Sequence, residues 1–279
     1  MQYDIAIIGA GIMGSSIAYQ LSKYKQYRVI VIEQSMHGKP EKSSIGHSRI
    51  TGRATGSECN AYIDLLPISN QIYNELYEAN SNIYYPGDCI TFCKKHSNKL
   101  NHIIDQIDTN HIQAEIINHP RNNPKFDAYL RPLYTDETAI IEKQTSDNLL
   151  GILDPTETTL TFQEIAKNNG VTFSYNQKAT FISHNDKGMS IEVECDRSQT
   201  VLHAKKVILA MNANTTCYPK LNSIISRQRI PLIFIPINNH NFKNSYLELT
   251  PEDKYELFVM PERVGNKIFL KAGMHHIAP

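Results

Sequence analysis

The sequence predicts a mixed α/β protein: a parallel sheet covered by helices and extended by a strand meander, with a second domain built on a mixed sheet. Three observations predict it. Residues 3–8, Tyr-Asp-Ile-Ala-Ile-Ile, run straight into Gly9-Ala10-Gly11-Ile12-Met13-Gly14. A second apolar run, residues 29–32, ends on an acid, Glu33. Short alternating segments at 171–175, 179–184, 189–193 and 200–203 then precede an apolar run at 206–210, where repeated strand–helix units would otherwise stand.

The first of these is a strand, a Gly-x-Gly-x-x-Gly turn, a helix and a second strand, forming one βαβ unit. Gly9 permits the tight turn, Gly11 has no Cβ to block a pyrophosphate, and Gly14 lets the helix lie close to the sheet. The helix N-terminus offers N–H groups and a positive dipole end to phosphates. Glu33 follows about 20 residues on, where a carboxylate accepts ribose hydroxyls. Strand, helix, spacing and acid agree on a Rossmann-like site for an adenine dinucleotide. The plain alternative is a glycine-rich turn in an ordinary α/β domain.

At 279 residues the chain has room for two domains and a sizeable core. Lys+Arg and Asp+Glu both number 28, a neutral balance that argues against nucleic acid or an anionic membrane as partner. The longest strongly apolar stretch, 230–237, is too short to span a bilayer. The first strand begins next to Met1, leaving no room for a leader, so a cytoplasmic protein is expected. The five cysteines have no Cys-x-x-Cys or metal-ligand spacing, so no metal is expected. Cys89 and Cys93, four apart in an alternating segment, read as two buried thiols on one strand face.

Further along, a polar loop at about 35–46 leads to Ser43-Ser44-Ile45-Gly46-His47-Ser48-Arg49-Ile50, a loop entering a short strand. Residues 61–79 and 100–107 have helical periodicity, and 89–92 reads as a strand. Residues 110–125 are rich in Asn, His and Pro and have no clear period. Residues 158–168 suggest a helix ended by Asn169-Gly170. The strands of 171–203 form a meander expected to cover one face of the parallel sheet, and 206–210 reads as a fully buried strand. A nicotinamide dehydrogenase would repeat βαβ units here, so the meander favours FAD over NAD. The expected division is 1–80 and 146–219 for the cofactor domain, with 81–145 and 220–279 for the substrate domain.

Together these pieces resemble the D-amino-acid-oxidase superfamily, and within it the sarcosine oxidase / N-methyltryptophan oxidase branch. The resemblance rests on the glycine turn with Glu33, on 43–50 followed by Arg53-Ala54-Thr55-Gly56, on 207–214, and on Phe269-Leu270-Lys271-Ala272-Gly273-Met274-His275. It implies an FAD enzyme that oxidises the C–N bond of an N-methyl or secondary amino acid, with dioxygen as acceptor and an imine, then peroxide, as products. Orientation and charge are the protein's share of that chemistry. It also implies a cofactor set of Ile8, Gly9, Gly11, Ile12, Met13, Gly14, Glu33, Gln34, Ser43, Arg49, Ile50, Ala179, Ala210 and Asn212.

Four residues are the candidates for catalysis: Arg49, Arg53, Lys271 and His275. Arg49 matches an arginine beside the flavin, with a structural ion-paired arginine as the alternative. Lys271 and His275 match a lysine and a histidine on a strand facing the flavin, the lysine aiding dioxygen; an exposed polar strand is the alternative. Arg53 could clamp a substrate carboxylate, but it falls one residue after the family's arginine, where this chain has Gly52. Ile45, Leu257-Phe258, Asn212 and Asn214 also depart from the family pattern, and Asn212 requires left-handed backbone angles. Family members run on past the end of this sequence, into a tail carrying the cysteine that attaches FAD. Non-covalent FAD is therefore expected, and a missing C-terminal fragment is a candidate partner. The competing readings are a non-catalytic fragment of such an oxidase and an NAD(P)-dependent dehydrogenase.

Overall fold

Both faces of the first strand are covered where it enters the core, so apolar residues run consecutively: Ala6, Ile7 and Ile8 are all buried. This computed structural model describes residues 2–276 apart from 38–43, 45, 56–59, 121–122, 124–125, 127–135, 146–148, 186–187, 196–197, 213, 215–216, 222–223, 226–229, 238–245 and 253–254. In chain order the elements begin β1 (Gln2–Ile8), α1 (Ile12–Ser22), β2 (Val29–Ile32), β3 (Arg49–Thr51), α2 (Asn60–Asp64), α3 (Leu66–Ala79), β4 (Tyr84–Pro86) and β5 (Cys89–Lys94). They continue α4 (Asn98–Asn110), β6 (Ala114–Asn118), β7 (Glu137–Glu142), β8 (Gly151–Leu153), α5 (Pro155–Asn168), β9 (Thr172–Ser174), β10 (Lys178–Asn185) and β11 (Gly188–Cys195). The last are β12 (Ser198–Leu209), β13 (Leu232–Ile237), β14 (Tyr246–Glu252), β15 (Tyr255–Val264) and β16 (Lys267–His276). The chain divides into two units, Met1–Gly46 with Pro155–Gln228, and His47–Asp154 with Arg229–Pro279.

The first unit holds a six-stranded sheet in the order β10-β11-β12-β1-β2-β9, parallel from β12 to β9 and antiparallel through β10, β11 and β12. Helices α1 and α5 pack together through Ala18 and Ala166, both fully buried, and through the Tyr19 and Phe162 rings, 5.2 Å apart. Small residues at that seam allow close approach, and the two rings fill the space beside it. The structure alters one expectation here. Residues 200–203 and 206–210 are not two strands. They belong mostly to β12, which is long enough to pair with β11 through one half and with β1 through the other. The meander therefore continues the parallel sheet edgewise. The stretch expected to be fully buried is only partly so, with Lys205 and Lys206 exposed.

The second unit has a seven-stranded mixed sheet, β13-β16-β15-β14-β5-β7-β6, and a three-stranded sheet, β3-β8-β4. Ile90, Phe92, Phe126, Ala139, Ile141, Leu247 and Val259 form its main core, with Phe92 edge-on to Phe126 at 5.4 Å. The helix expected over 61–79 is interrupted at Leu65 into α2 and α3, with Pro67 in the first turn of the second. Residues 47–80 and strand β8, expected with the cofactor domain, group instead with the second unit, where β8 pairs with both β3 and β4. Cys89 and Cys93 are free and buried on β5, and burial pushes the Cys89 thiol up to about 12. Among the described residues, no helix is long and apolar enough to cross a membrane.

Candidate functional site

The glycine turn of the first unit is built from backbone. Gly9 has φ +103°, and a Cβ there would lie 2.6 Å from the Ala210 carbonyl oxygen. At Gly14 a Cβ would come within 1.8 Å of the Gly9 oxygen, so α1 can begin this close to β1 only with glycine there. At Gly11 a Cβ would meet only the Ser44 hydroxyl, at 2.9 Å. The backbone at Gly11 therefore faces the open cavity, with a movable side chain beside it.

That cavity, about 550 Å³, is lined by Ile8, Gly9, Gly11, Ile12 and Met13 from the turn and by Glu33 and Gln34 from the end of β2. Ala179, Ala210 and Asn212 of the expected set also line it, and Arg49 and Ile50 are not among its lining residues. Gly14 acts behind the wall, through the helix–strand contact. Asn212 has φ +53°, the left-handed geometry its position demands. The Glu33 carboxylate accepts from the Ala10 N–H at 2.6 Å and the Ser35 N–H at 2.8 Å. Two backbone donors fix its orientation and leave lone pairs for hydroxyls. Ser44 accepts from the Ile12 N–H at 3.0 Å, holding the first turn of α1. Sequence reasoning named Ser43, which lies outside the described residues, as does Ile45. Its neighbour Ser44 lines the cavity. Gln177, Lys178, Asn214 and Cys217 line it too, and only the fold brings them there. Asn214 donates to the Gln34 side chain at 3.3 Å.

The second unit holds the charged candidates. Lys271 on β16 is buried, and its Nζ donates to the Ser48 carbonyl at 2.6 Å, the Ser48 hydroxyl at 3.0 Å and Glu262 at 3.0 Å. Ser48 in turn donates to Glu262 at 2.6 Å. Burial lowers the Lys271 pKa, Arg49 lowers it further, and Glu262 offsets part of the shift. Burial pushes Glu262 up, but Ser48, Lys271 and the His47 N–H outweigh it and hold the carboxyl below its ordinary value. Arg49, on β3 with Ile50, donates to the Ser48 carbonyl at 2.7 Å. His47 Nδ1 lies 2.8 Å from the buried Asp154 carboxylate.

Arg53 is placed differently from its expected role. Both guanidinium Nη atoms contact the Glu248 carboxylate, one of them at 2.9 Å, so an internal carboxylate stands where a substrate's was expected. Gly52, with φ +71°, turns the chain between β3 and Arg53. The backbone of His275 lies on β16 opposite Glu256, and its side chain lies outside the described residues. Among the described residues, no group of three His, Cys, Asp or Glu side chains is placed to hold a metal.

Residues 4–277 match the family described as DAO, FAD dependent oxidoreductase. The chain belongs to that family. Its membership decides against the nicotinamide alternative, because FAD is the DAO family's cofactor. A probable sarcosine oxidase of Arabidopsis thaliana is 24% identical over 215 residues, covering 76% of this chain and 49% of that protein. A glycerol 3-phosphate dehydrogenase of Caloramator mitchellensis is 25% identical, covering 98% of this chain and 54% of that one. The chain thus spans about half the length of these curated relatives. The solved structure of NikD, an amino acid oxidase essential for nikkomycin biosynthesis, superimposes with a TM-score of 0.74 at 15% identity, covering all of this chain and 70% of that one. This likeness establishes a DAO-type fold.

The cavity suits the DAO cofactor on the structure's own terms. At Gly11 the backbone borders open space, Ile12 and Met13 of the first turn of α1 line the wall, and one oriented carboxylate stands at the tip of β2. Gly11, Ile12 and Met13 would hold the pyrophosphate and Glu33 the ribose hydroxyls.

Proposed function

We propose that the chain is an FAD-dependent oxidoreductase of the sarcosine oxidase / N-methyltryptophan oxidase type, oxidising the C–N bond of an N-methyl or secondary amino acid with dioxygen as acceptor. The observation that carries this reading is the Lys271–Ser48–Glu262 cluster with Arg49 beside it. It is a buried lysine–glutamate pair of fixed geometry, and the Arg49 charge beside it leaves the group net positive, suited to an anionic partner. FAD, when bound, would supply the two-electron acceptor. The protein's part is charge and orientation. Ser48 and Glu262 hold the Lys271 ammonium in one place, where it would aid the reaction with dioxygen. Arg49 would add a positive charge, with Ile50 and Ser43 as further cofactor contacts and His275 as a partner of Lys271. Arg53 is committed to Glu248, so the substrate carboxylate would need another cation.

Under this reading the first unit binds FAD without a covalent link and the second binds the substrate. Sarcosine oxidase and amino acid oxidase among the similar proteins support an amino acid or amine substrate. Free thiols and a neutral charge balance support a cytoplasmic setting. The near-complete alignment with a glycerol 3-phosphate dehydrogenase favours a second reading, oxidation of a C–OH bond.

The test begins with a visible absorption spectrum of the purified chain, before and after acid precipitation. Flavin bands that pass to the supernatant are the expected result. A colourless protein that takes up no added FAD overturns the reading. Peroxide release with sarcosine or N-methyl aromatic amino acids supports the C–N assignment. Dye reduction by glycerol 3-phosphate alone replaces it with the second reading.

A further inference from the structure

The glycine turn is held from behind by a polar network that the sequence does not announce. The Ala10 carbonyl accepts two hydrogen bonds, from the Ser15 hydroxyl at 2.9 Å and from Gln163 Nε2 at 2.8 Å. Gln163 stands on α5, far away in sequence, and is buried with Ser15. Its Nε2 also lies 3.1 Å from the Ser15 hydroxyl. Its Oε1 accepts from the Tyr175 hydroxyl at 2.7 Å. The amide orientation is fixed by logic as well as by distance. A carbonyl can only accept, so the nitrogen must face Ala10, and Tyr175 must then donate to the oxygen.

A trans peptide is planar, and its C=O and N–H point in opposite directions. With the Ala10 carbonyl drawn toward Gln163 and Ser15, the Gly11 N–H of the same peptide points away from them, toward the side where Gly11 lines the cavity. The Ala10 N–H is fixed separately, on Glu33. Both peptides flanking Ala10 are thereby locked, one by α5 and one by the acid that ends β2.

We infer that Gln163, oriented by Tyr175, is a positioning residue for the cofactor's pyrophosphate: it holds the Ala10–Gly11 peptide with its N–H toward the cavity. The inference rests on the FAD reading above and adds a residue of this chain to it. Preorganised donors bind an anion without first being reoriented, so losing the lock should weaken phosphate binding more than it weakens the fold.

The test measures FAD dissociation constants by flavin fluorescence quenching, displacement of FAD by ADP and by adenosine, and the melting temperature of the unliganded chain. Gln163→Leu should weaken FAD and ADP together by about tenfold, the scale of one buried hydrogen bond, and leave adenosine, which has no phosphate, unchanged. Gln163→Glu should regain affinity as the pH falls. A protonated acid can donate to the Ala10 carbonyl and a carboxylate cannot. Tyr175→Phe, which keeps the amide but frees it to turn, should give a smaller loss of the same kind. It serves also if Gln163→Leu does not fold. A lower melting temperature with unchanged FAD and ADP affinity overturns the inference, as does equal weakening of adenosine. Wild-type chain that binds no FAD overturns the cofactor reading itself, a result distinct from either.

Discussion

The two units build their polar sites by opposite means. In the first, the wall of the cavity is largely aliphatic, and its polar part includes glycine backbone, neutral amides and the Glu33 carboxylate tied to two N–H groups. In the second, buried charges face each other: Lys271 with Glu262 and Arg53 with Glu248. A backbone site fails where a side chain intrudes. A charge site fails where a partner is removed, because the remaining charge keeps its desolvation cost.

Substitutions can break this comparison at its strongest points. Glu248→Ala leaves the Arg53 guanidinium without its bidentate partner and should cost about 3–5 kcal/mol of stability, measured by urea unfolding. Arg53→Met with Glu248→Leu should recover most of that loss. If the double variant is no better than the single, the buried pair is not the reason for the cost. In the first unit, Gly14→Ala drives a Cβ onto the Gly9 oxygen and should destabilise by about 3 kcal/mol. Gly11→Val should instead cost only about 1 kcal/mol, by moving the Ser44 hydroxyl off the Ile12 N–H, and abolish FAD uptake. Similar losses from both glycine variants would show that turn and cavity are not separable.

Ser48→Ala is a smaller probe. It removes one acceptor from Lys271 and one donor to Glu262, and should cost about 1–3 kcal/mol in thermal or chemical unfolding. The mildest probe is pH. Glu262 is held below its ordinary 4.5, so its stabilisation is complete above that value and is lost as the pH falls through the lower folded value. Asp4, half-buried on β1, is lowered from 3.8 to about 2, by Lys205 first and the Arg28 N–H next. Its contribution is complete above 3.8 and disappears toward 2. Melting temperatures should therefore fall in acid, and Asp4→Asn should flatten only the lowest part of the curve. Lys271 acts in the same direction, in the alkaline range. Its folded pKa lies below 10.5, so the unfolded chain holds the proton longer and this group adds stability as the pH rises toward 10.5.

Much of the first unit was legible because its signals are local. Gly9, Gly11, Gly14 and Glu33 sit within one βαβ unit, and the meander strands alternate at their own period. The continuity of β12 was not legible, because Ala204-Lys205-Lys206 interrupts the apolar pattern just where the strand changes neighbours. Strand β6 was hidden in a stretch rich in Asn and His, where only its pairing with β7 reveals it. Ser44 was missed by one position, since either serine of the pair satisfies the pattern.

By itself the sequence determined the glycine turn, the acid that follows it and the family to which both belong. Each depends on residues whose spacing fixes their geometry through φ/ψ limits and strand or helix period. Only the tertiary structure decided that Arg53 faces Glu248, that Lys271 meets Ser48, and that Gln163 reaches the turn. Those partners lie far apart in the chain. β5 runs between β14 and β7, placing Glu248 opposite Thr91 and Glu142 opposite Cys89. The pairing of a buried charge follows from sheet order and register, which no local period encodes.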